Sequence, residues 1–255
     1  MKDFIRNIAA IAFWIAVWQT ASLCVGMELL LPSPFVTLMA LTELVQTSDF
    51  WLDCAYSVLR ILSGLLSGAF VAVLIAVITH LSKNAKALFS PVLTVIKATP
   101  IASFIILALL WIGRENVPSF ITFLIVLPII WSATHHSIET IDDKLIEISR
   151  VFNFTLSQKL RHLYVPSVFP AFLTAFMTSV GIAWKAGVAA EVLCTPTYSL
   201  GTSIFESKKY LETSQLFAYT VTVIILSLAI EKMLLRICTL ISEKTRKETY
   251  NDKDH

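Results

Sequence analysis

The stretch IETIDDKLIEISRVFNFTLSQKLRHLYVP, residues 138–166, sets the architecture of this chain. It is rich in polar residues and about 28 residues long, yet apolar runs flank it on both sides. A plain turn between two helices needs only a few residues. The pattern resolves instead into two helices. Thr140 with Asp143 reads as a capping box opening the first, and an acidic first turn suits the helix dipole. Ile141, Leu145, Ile148 and Phe152 recur at i, i+4, i+7 and i+11, which makes one apolar stripe. Asp143, Glu147 and Arg150 fall on another face. Asn153 is expected as the left-handed residue that ends this helix. Thr155 with Gln158 then opens a second helix running toward Pro166. By pattern alone such a pair rests on lipid headgroups or docks on a partner.

Outward from this loop, six stretches approach the roughly 20 apolar residues that cross a bilayer as a helix: residues 8–25, 57–79, 92–112, 118–134, 168–190 and 216–235. Composition agrees, with 56% hydrophobic and 15% charged residues and a mean hydropathy of +0.74. A soluble domain is about 45–50% apolar and about 25% charged. Strand-like alternation is absent, so helices must satisfy the backbone in lipid. The expected fold class is an all-α integral membrane protein with six transmembrane helices in a single domain, 1–255. Twenty basic against 18 acidic residues speak against a nucleic-acid partner. Cys24, Cys54, Cys194 and Cys238 are too scattered for a zinc pattern or a disulfide framework. Lys2 and Arg6 precede the first stretch, but no small-residue cleavage site follows it, so an uncleaved helix is expected.

Basic residues give the orientation. With the N-terminus inside, the inner segments hold Lys2, Arg6, Lys83, Lys86, Lys144, Arg150, Lys159, Arg161 and six more from Lys232 to Lys253, fourteen in all. The outer segments hold four: Arg60, Arg114, Lys208 and Lys209. Both termini and the 138–166 loop are therefore expected in the cytoplasm. Outside, LPSP predicts a short helix on the membrane face, with Ser33 as N-cap and Pro34 first in the helix. The segment from Glu191 to Ser214 reads as a solvated loop. Gly64 and Gly68, four apart, form a small-residue packing motif, within or between subunits.

Lys97 and Lys185 fall inside spans, where a charge costs about 2.5–3.5 kcal/mol at a helix centre. Lys97 either snorkels to the interface or faces the interior. Lys185 lies deeper, and Glu191 follows six residues on, out of i, i+4 reach. These three are the candidates for a solute pathway, and the lysines suit an anionic solute.

The 138–166 loop resembles the cytoplasmic signature of ABC importer permeases: E-A-A, three residues, G, nine residues, I-x-L-P. Glu147-Ile148-Ser149 stands at E-A-A, Asn153 at the glycine and Leu163-Tyr164-Val165-Pro166 at I-x-L-P, with every spacing kept. Ile148, Ser149 and Asn153 depart from the pattern, and asparagine is the milder change because it tolerates positive φ. IDDKLIEISR, LPSP, SVLRILSGLLSG and AWKAGVAAE are similar to the nitrate/sulfonate/taurine branch of these permeases. The resemblance implies a type I ABC importer permease fold in the bacterial cell membrane, usually as a pair of copies. It implies cytoplasmic ATPases, which carry the ATP and Mg, and an extracytoplasmic solute-binding protein. Glu147, Ile148, Ser149, Asn153, Leu163, Val165 and Pro166 would couple to the ATPase, with Ile141, Leu145 and Phe152 completing the docking face. Solutes of the branch include nitrate, sulfonates, taurine and thiamine precursors.

No G-x-x-x-x-G-K-[ST] occurs, so no P-loop is expected on this chain, nor any cofactor of its own. No H-E-x-x-H occurs, and His135-His136 are adjacent, which does not suit a shared metal; neither catalytic nor metal-binding residues are expected. A secondary transporter working without an ATPase is the alternative, and it often shows duplicated halves that this sequence lacks. Whether uptake stops when ATP hydrolysis is blocked separates the two.

Overall fold

The computed structural model describes the backbone of residues 2–251 and the side chains of residues 6–240. Lys253, counted above for orientation, lies outside the described residues, as do the side chains of Lys2, Lys244, Arg246 and Lys247. Every regular element among the described residues is helical. In order they are α1 (Lys2–Val25), α2 (Pro34–Leu44), α3 (Ser48–Leu81), α4 (Lys83–Ala98), α5 (Ile101–Trp111), α6 (Val117–Glu139), α7 (Asp143–Val151), α8 (Leu156–Lys159), a π turn (Leu160–Tyr164), α9 (Val165–Cys194), α10 (Leu200–Lys209) and α11 (Thr213–Asn251).

By length and hydropathy, Arg6–Val25, Ser48–Leu81, Val117–Glu139 and Leu156–Cys194 can each cross a membrane. The sixth expected span lies within α11, where residues 213–230 carry no charge. The third differs from the single helix expected over 92–112. It is a pair, α4 and α5, bent by 110°. Proline supplies the reason: Pro100 has no N–H to donate, and it holds Thr99 extended at φ −81, ψ 132. Pro128 and Pro170 lie inside α6 and α9 without ending them. The fifth span also runs longer than 168–190. Pro166 does not start it afresh, because the π turn shifts the bonding just before it, with Val165 N–H donating to Leu160 O.

The chain forms two compact units: residues up to Val58 with Glu191–Leu226, and Leu59–Ala190 with residues from Ser227 onward. In the first, Ser33 caps α2 by accepting from Val36 N, with Pro34 in the first turn as LPSP predicts. Trp18 Nε1 donates to Pro32 O at 3.1 Å and Ser22 Oγ to Leu31 O at 2.9 Å, which tie α1 to that segment. Phe50, Cys54, Leu200 and Tyr219 are the buried centre of this unit.

In the second unit α3 crosses α6 at the paired glycines. A Cβ on Gly64 would overlap Ser119 O, and one on Gly68 would sit 2.9 Å from Phe123 O. The packing motif therefore serves contact within one copy. Gly187 of α9 does the same against Ile61, where a Cβ would meet Cδ1 at 2.9 Å.

Candidate functional site

The connection between α6 and α9 is ordered by its own backbone bonds. α7 starts two residues later than the Thr140–Asp143 box requires. Asp142 is the N-cap, its Oδ1 accepting from Lys144 N at 2.9 Å, while Thr140 closes α6 with its hydroxyl on His136 O. An aspartate at the cap accepts a backbone N–H and places its charge on the positive helix end, which favours it over the threonine. At the other end Asn153 has φ 50. Its N–H donates to Arg150 O and that of Phe154 to Ser149 O, both at 3.0 Å, which is a Schellman closure with asparagine in the left-handed place. Thr155 and Gln158 then form the reciprocal capping box, Thr155 N donating to Gln158 Oε1 at 2.8 Å.

These bonds decide what the loop displays. Ser149 is 2% exposed and turns inward, its hydroxyl on Ile146 O at 2.7 Å, so a small residue is needed there. Ile141 and Leu163 are buried at the two roots of the loop. Leu145, Ile148 and Phe152 are exposed, Phe152 at 71%. Val151 at 77% and Leu156 at 74% join them, and the stripe drawn from sequence missed both. The available signal was their flanking position: Val151 lies three residues beyond Ile148, and Leu156 opens the second helix. Glu147 and Asn153 are exposed, and among the described residues Glu147 has no ion partner. Val165 is exposed and Pro166 half-buried.

A polar chain holds the root of this loop. Lys86 Nζ lies 2.6 Å from Glu139 Oε1, which lies 3.2 Å from His135 Nε2. His135 Nδ1 is 3.2 Å from the Thr79 hydroxyl, to which Trp131 Nε1 donates at 3.1 Å. Ser137 Oγ donates to Ser167 O across the loop's two ends. Sequence spacing shows only that His135 and Glu139 are i, i+4 neighbours.

The three pathway candidates part company. Lys97 and Lys185 are exposed on α4 and α9, and neither has an ion pair or hydrogen bond among the described residues. Glu191 is 0% exposed. Its Oε2 accepts from Ser57 Oγ at 2.7 Å and from Gly201 N at 3.3 Å, and Ser57 Oγ in turn accepts from Leu200 N at 2.9 Å. A Cβ on Gly201 would overlap the Glu191 side chain. The buried carboxylate thus anchors the N-terminus of α10. That helix occupies the segment expected as a solvated loop, and the correction has a plain cause. A buried helix end must find partners for its N–H groups, and Glu191, Ser57 and the Ser199 cap supply them. Asp53, about one turn before Ser57 on α3 and also buried, accepts from Ser203 Oγ at 2.6 Å.

Helices long and apolar enough to cross a bilayer, with one ordered connection that presents exposed apolar side chains, are those of a multi-pass membrane protein. Residues 64–247 match the family of binding-protein-dependent transport system inner membrane components, and the chain belongs to that family. It is 26% identical over 218 residues to the putative aliphatic sulfonates transport permease protein SsuC of Bacillus subtilis, covering 84% of this chain and 78% of that one. Similarity extends to the taurine transport system permease protein TauC of Escherichia coli, at 23% identity over 88% of this chain and 84% of the relative. The nitrate import permease protein NrtB of Synechococcus elongatus is 24% identical, over 76% and 73% of the two chains. The inward-facing MetNI methionine ABC transporter shares the fold, with a TM-score of 0.55 at 16% identity, over 76% of this chain and 93% of that one. The protein is an inner-membrane permease subunit of an ABC importer.

Proposed function

We propose that this chain acts as one permease domain, in two copies, and carries a small anion from an extracytoplasmic binding protein to the cytoplasm. Both termini lie in the cytoplasm, and α7–α8 seats in a groove of a separate ATPase. That ATPase holds the ATP and Mg, and this chain hydrolyses none. The observation that carries the reading is the exposed face of Leu145, Ile148, Val151, Phe152 and Leu156 beside an unpaired Glu147, on a loop whose backbone is already satisfied. Such a surface is held open rather than collapsed, and apolar side chains outside the spans lose free energy until covered. Two unpaired lysines on membrane helices favour an anion along the pathway, in line with the sulfonate, taurine and nitrate carried by the relatives.

Reconstitution tests this. The chain is placed in proteoliposomes with its ATPase and binding protein, and anion uptake is measured with and without ATP. Uptake should require both partners, and the isolated chain should turn over no ATP. Uptake driven by an ion gradient without the ATPase would establish a secondary transporter instead.

A further inference from the structure

Glu139 ends α6 four residues ahead of α7, the helix that presents the exposed apolar face. It is the one carboxylate on α6. Lys86 of α4 reaches it, Nζ to Oε1 at 2.6 Å. Among the described residues this is the only polar side-chain contact from α4 to another helix. The same oxygen lies 3.2 Å from His135 Nε2. Behind that ring the partners are complete. The Thr79 hydroxyl donates to Ile75 O at 2.8 Å and accepts from Trp131 Nε1 at 3.1 Å, which leaves its other lone pair to accept from His135 Nδ1–H. Trp131 also stacks on the imidazole, with ring centroids 5.4 Å apart. The end of α6 is thus fixed to α3 by buried groups and to α4 by one exposed ion pair.

That ion pair stands at one end of a two-helix lever. Lys86 to Lys97, and Glu139 back to Pro128, are eleven residues each, about 16 Å along either helix. At the far end Ile96 and Lys97 of α4 and Pro128 and Ile129 of α6 line one cavity of about 180 Å³, where α4 bends by 110° into α5. We propose that Glu139 is a positioning residue of transport: through Lys86 it makes α4 follow the α7–α8 loop, so that displacement of the loop by the ATPase reshapes the elbow. The inference rests on the docking reading above and adds a route from the loop into the spans. An exposed ion pair contributes little to folding, because water competes for both ends and ordering two long side chains costs entropy. It can still decide which helix arrangement accompanies a loop position, since only the difference between two folded states matters there.

The test uses the purified permease–ATPase complex in lipid nanodiscs, with spin labels at the exposed residues 92 of α4 and 110 of α5. The distance between the labels is measured without nucleotide and with ATP trapped, beside ATP hydrolysis and thermal unfolding. In the parent chain ATP should change the ratio of two distance populations. In Glu139→Gln and in Lys86→Met that change should shrink by about fivefold or more, the usual size of a coupling between sites. ATPase binding, hydrolysis and the unfolding midpoint should stay near the parent's. The exchange Lys86→Glu with Glu139→Lys should restore the change, which a purely structural role would not predict. An undiminished change in Glu139→Gln, a parent elbow that ignores ATP, or no restoration by the exchange would each overturn the proposal. If the ATPase binds the parent chain and any of these results is found, the lever falls and the docking reading stands. If the ATPase does not bind the parent chain at all, the docking reading falls as well.

Discussion

α10 and the α7–α8 pair are both short helices set between long ones, and they treat their side chains in opposite ways. The N-terminus of α10 is closed by a buried cluster, in which Glu191 of α9 accepts from Ser57 of α3 and from the Gly201 N–H. α7–α8 satisfies its backbone with Asp142, Asn153 and Thr155 and leaves its largest apolar side chains outside. One is a closed polar knot and the other an open apolar face. Polar groups taken out of water must be completed within the chain, whereas apolar groups left in water can be completed by another chain.

Substitutions that separate folding from transport test this contrast. The largest effect is expected at Glu191→Ala, which strands the Ser57 hydroxyl and the Gly201 N–H inside the protein. Each buried group without a partner costs about 1–3 kcal/mol. Thermal unfolding of the purified chain should drop markedly, and an unchanged midpoint would mean that α10 is not held as described. Glu147→Lys should do the reverse. It preserves helix propensity and touches nothing within the chain, so unfolding should stay put. If Glu147 pairs with a basic group of the ATPase, uptake should fall by about tenfold or more, the effect of setting a like charge against that group. Normal uptake by that variant would return α7–α8 to the lipid surface.

Asn153 sharpens the comparison, since its geometry serves both folding and display. Asn153→Gly should be neutral. Asn153→Val should cost about 1–3 kcal/mol at the loop, because a β-branched residue resists φ 50. Equal ATPase binding by the two variants would show that the corner does not set the exposed face. The smallest effect is expected from Leu156→Ser: no loss of stability in the isolated chain, and a few-fold weaker ATPase binding in a pull-down titration. A stability loss there would mean that Leu156 is part of this chain's own core.

The fold was legible wherever local chemistry decides it. Six apolar stretches, Ser33-Pro34, Asn153 and the Thr155–Gln158 box all depend on residues within one turn of each other, and sequence spacing displays such relations directly. Residue type alone also marked the paired glycines of α3 for close packing. What remained hidden depends on distant partners. Glu191 meets Ser57 across 134 positions and Asp53 meets Ser203 across 150, and no periodicity encodes either. For that reason the segment around α10 read as a loop and Glu191 as a pathway residue. The third span was legible as an apolar run interrupted at Pro100, but the size of the bend was not. Hydropathy counts Thr99-Pro100 as two more residues in a run, while the backbone treats them as a break. The exposed face was half legible, since helical spacing found Leu145, Ile148 and Phe152 but the left-handed corner added Leu156 from the next helix.

The bend at Thr99-Pro100 also says which way the chain faces in the membrane. A helix that stops leaves carbonyls at its end, and the next leaves N–H groups at its start. Pro100 gives α5 no side-chain cap. Hydrocarbon offers these groups no hydrogen bonds, so a break within a span is tolerated only where protein or water surrounds it. The elbow therefore acts as a compass needle. Within the second unit, the face bearing Thr99 and Pro100 points away from the lipid, toward protein or water. A spin label at residue 99 should report a polar, lipid-excluded environment in a bilayer, and a label on the lipid-facing side of α5 an apolar one.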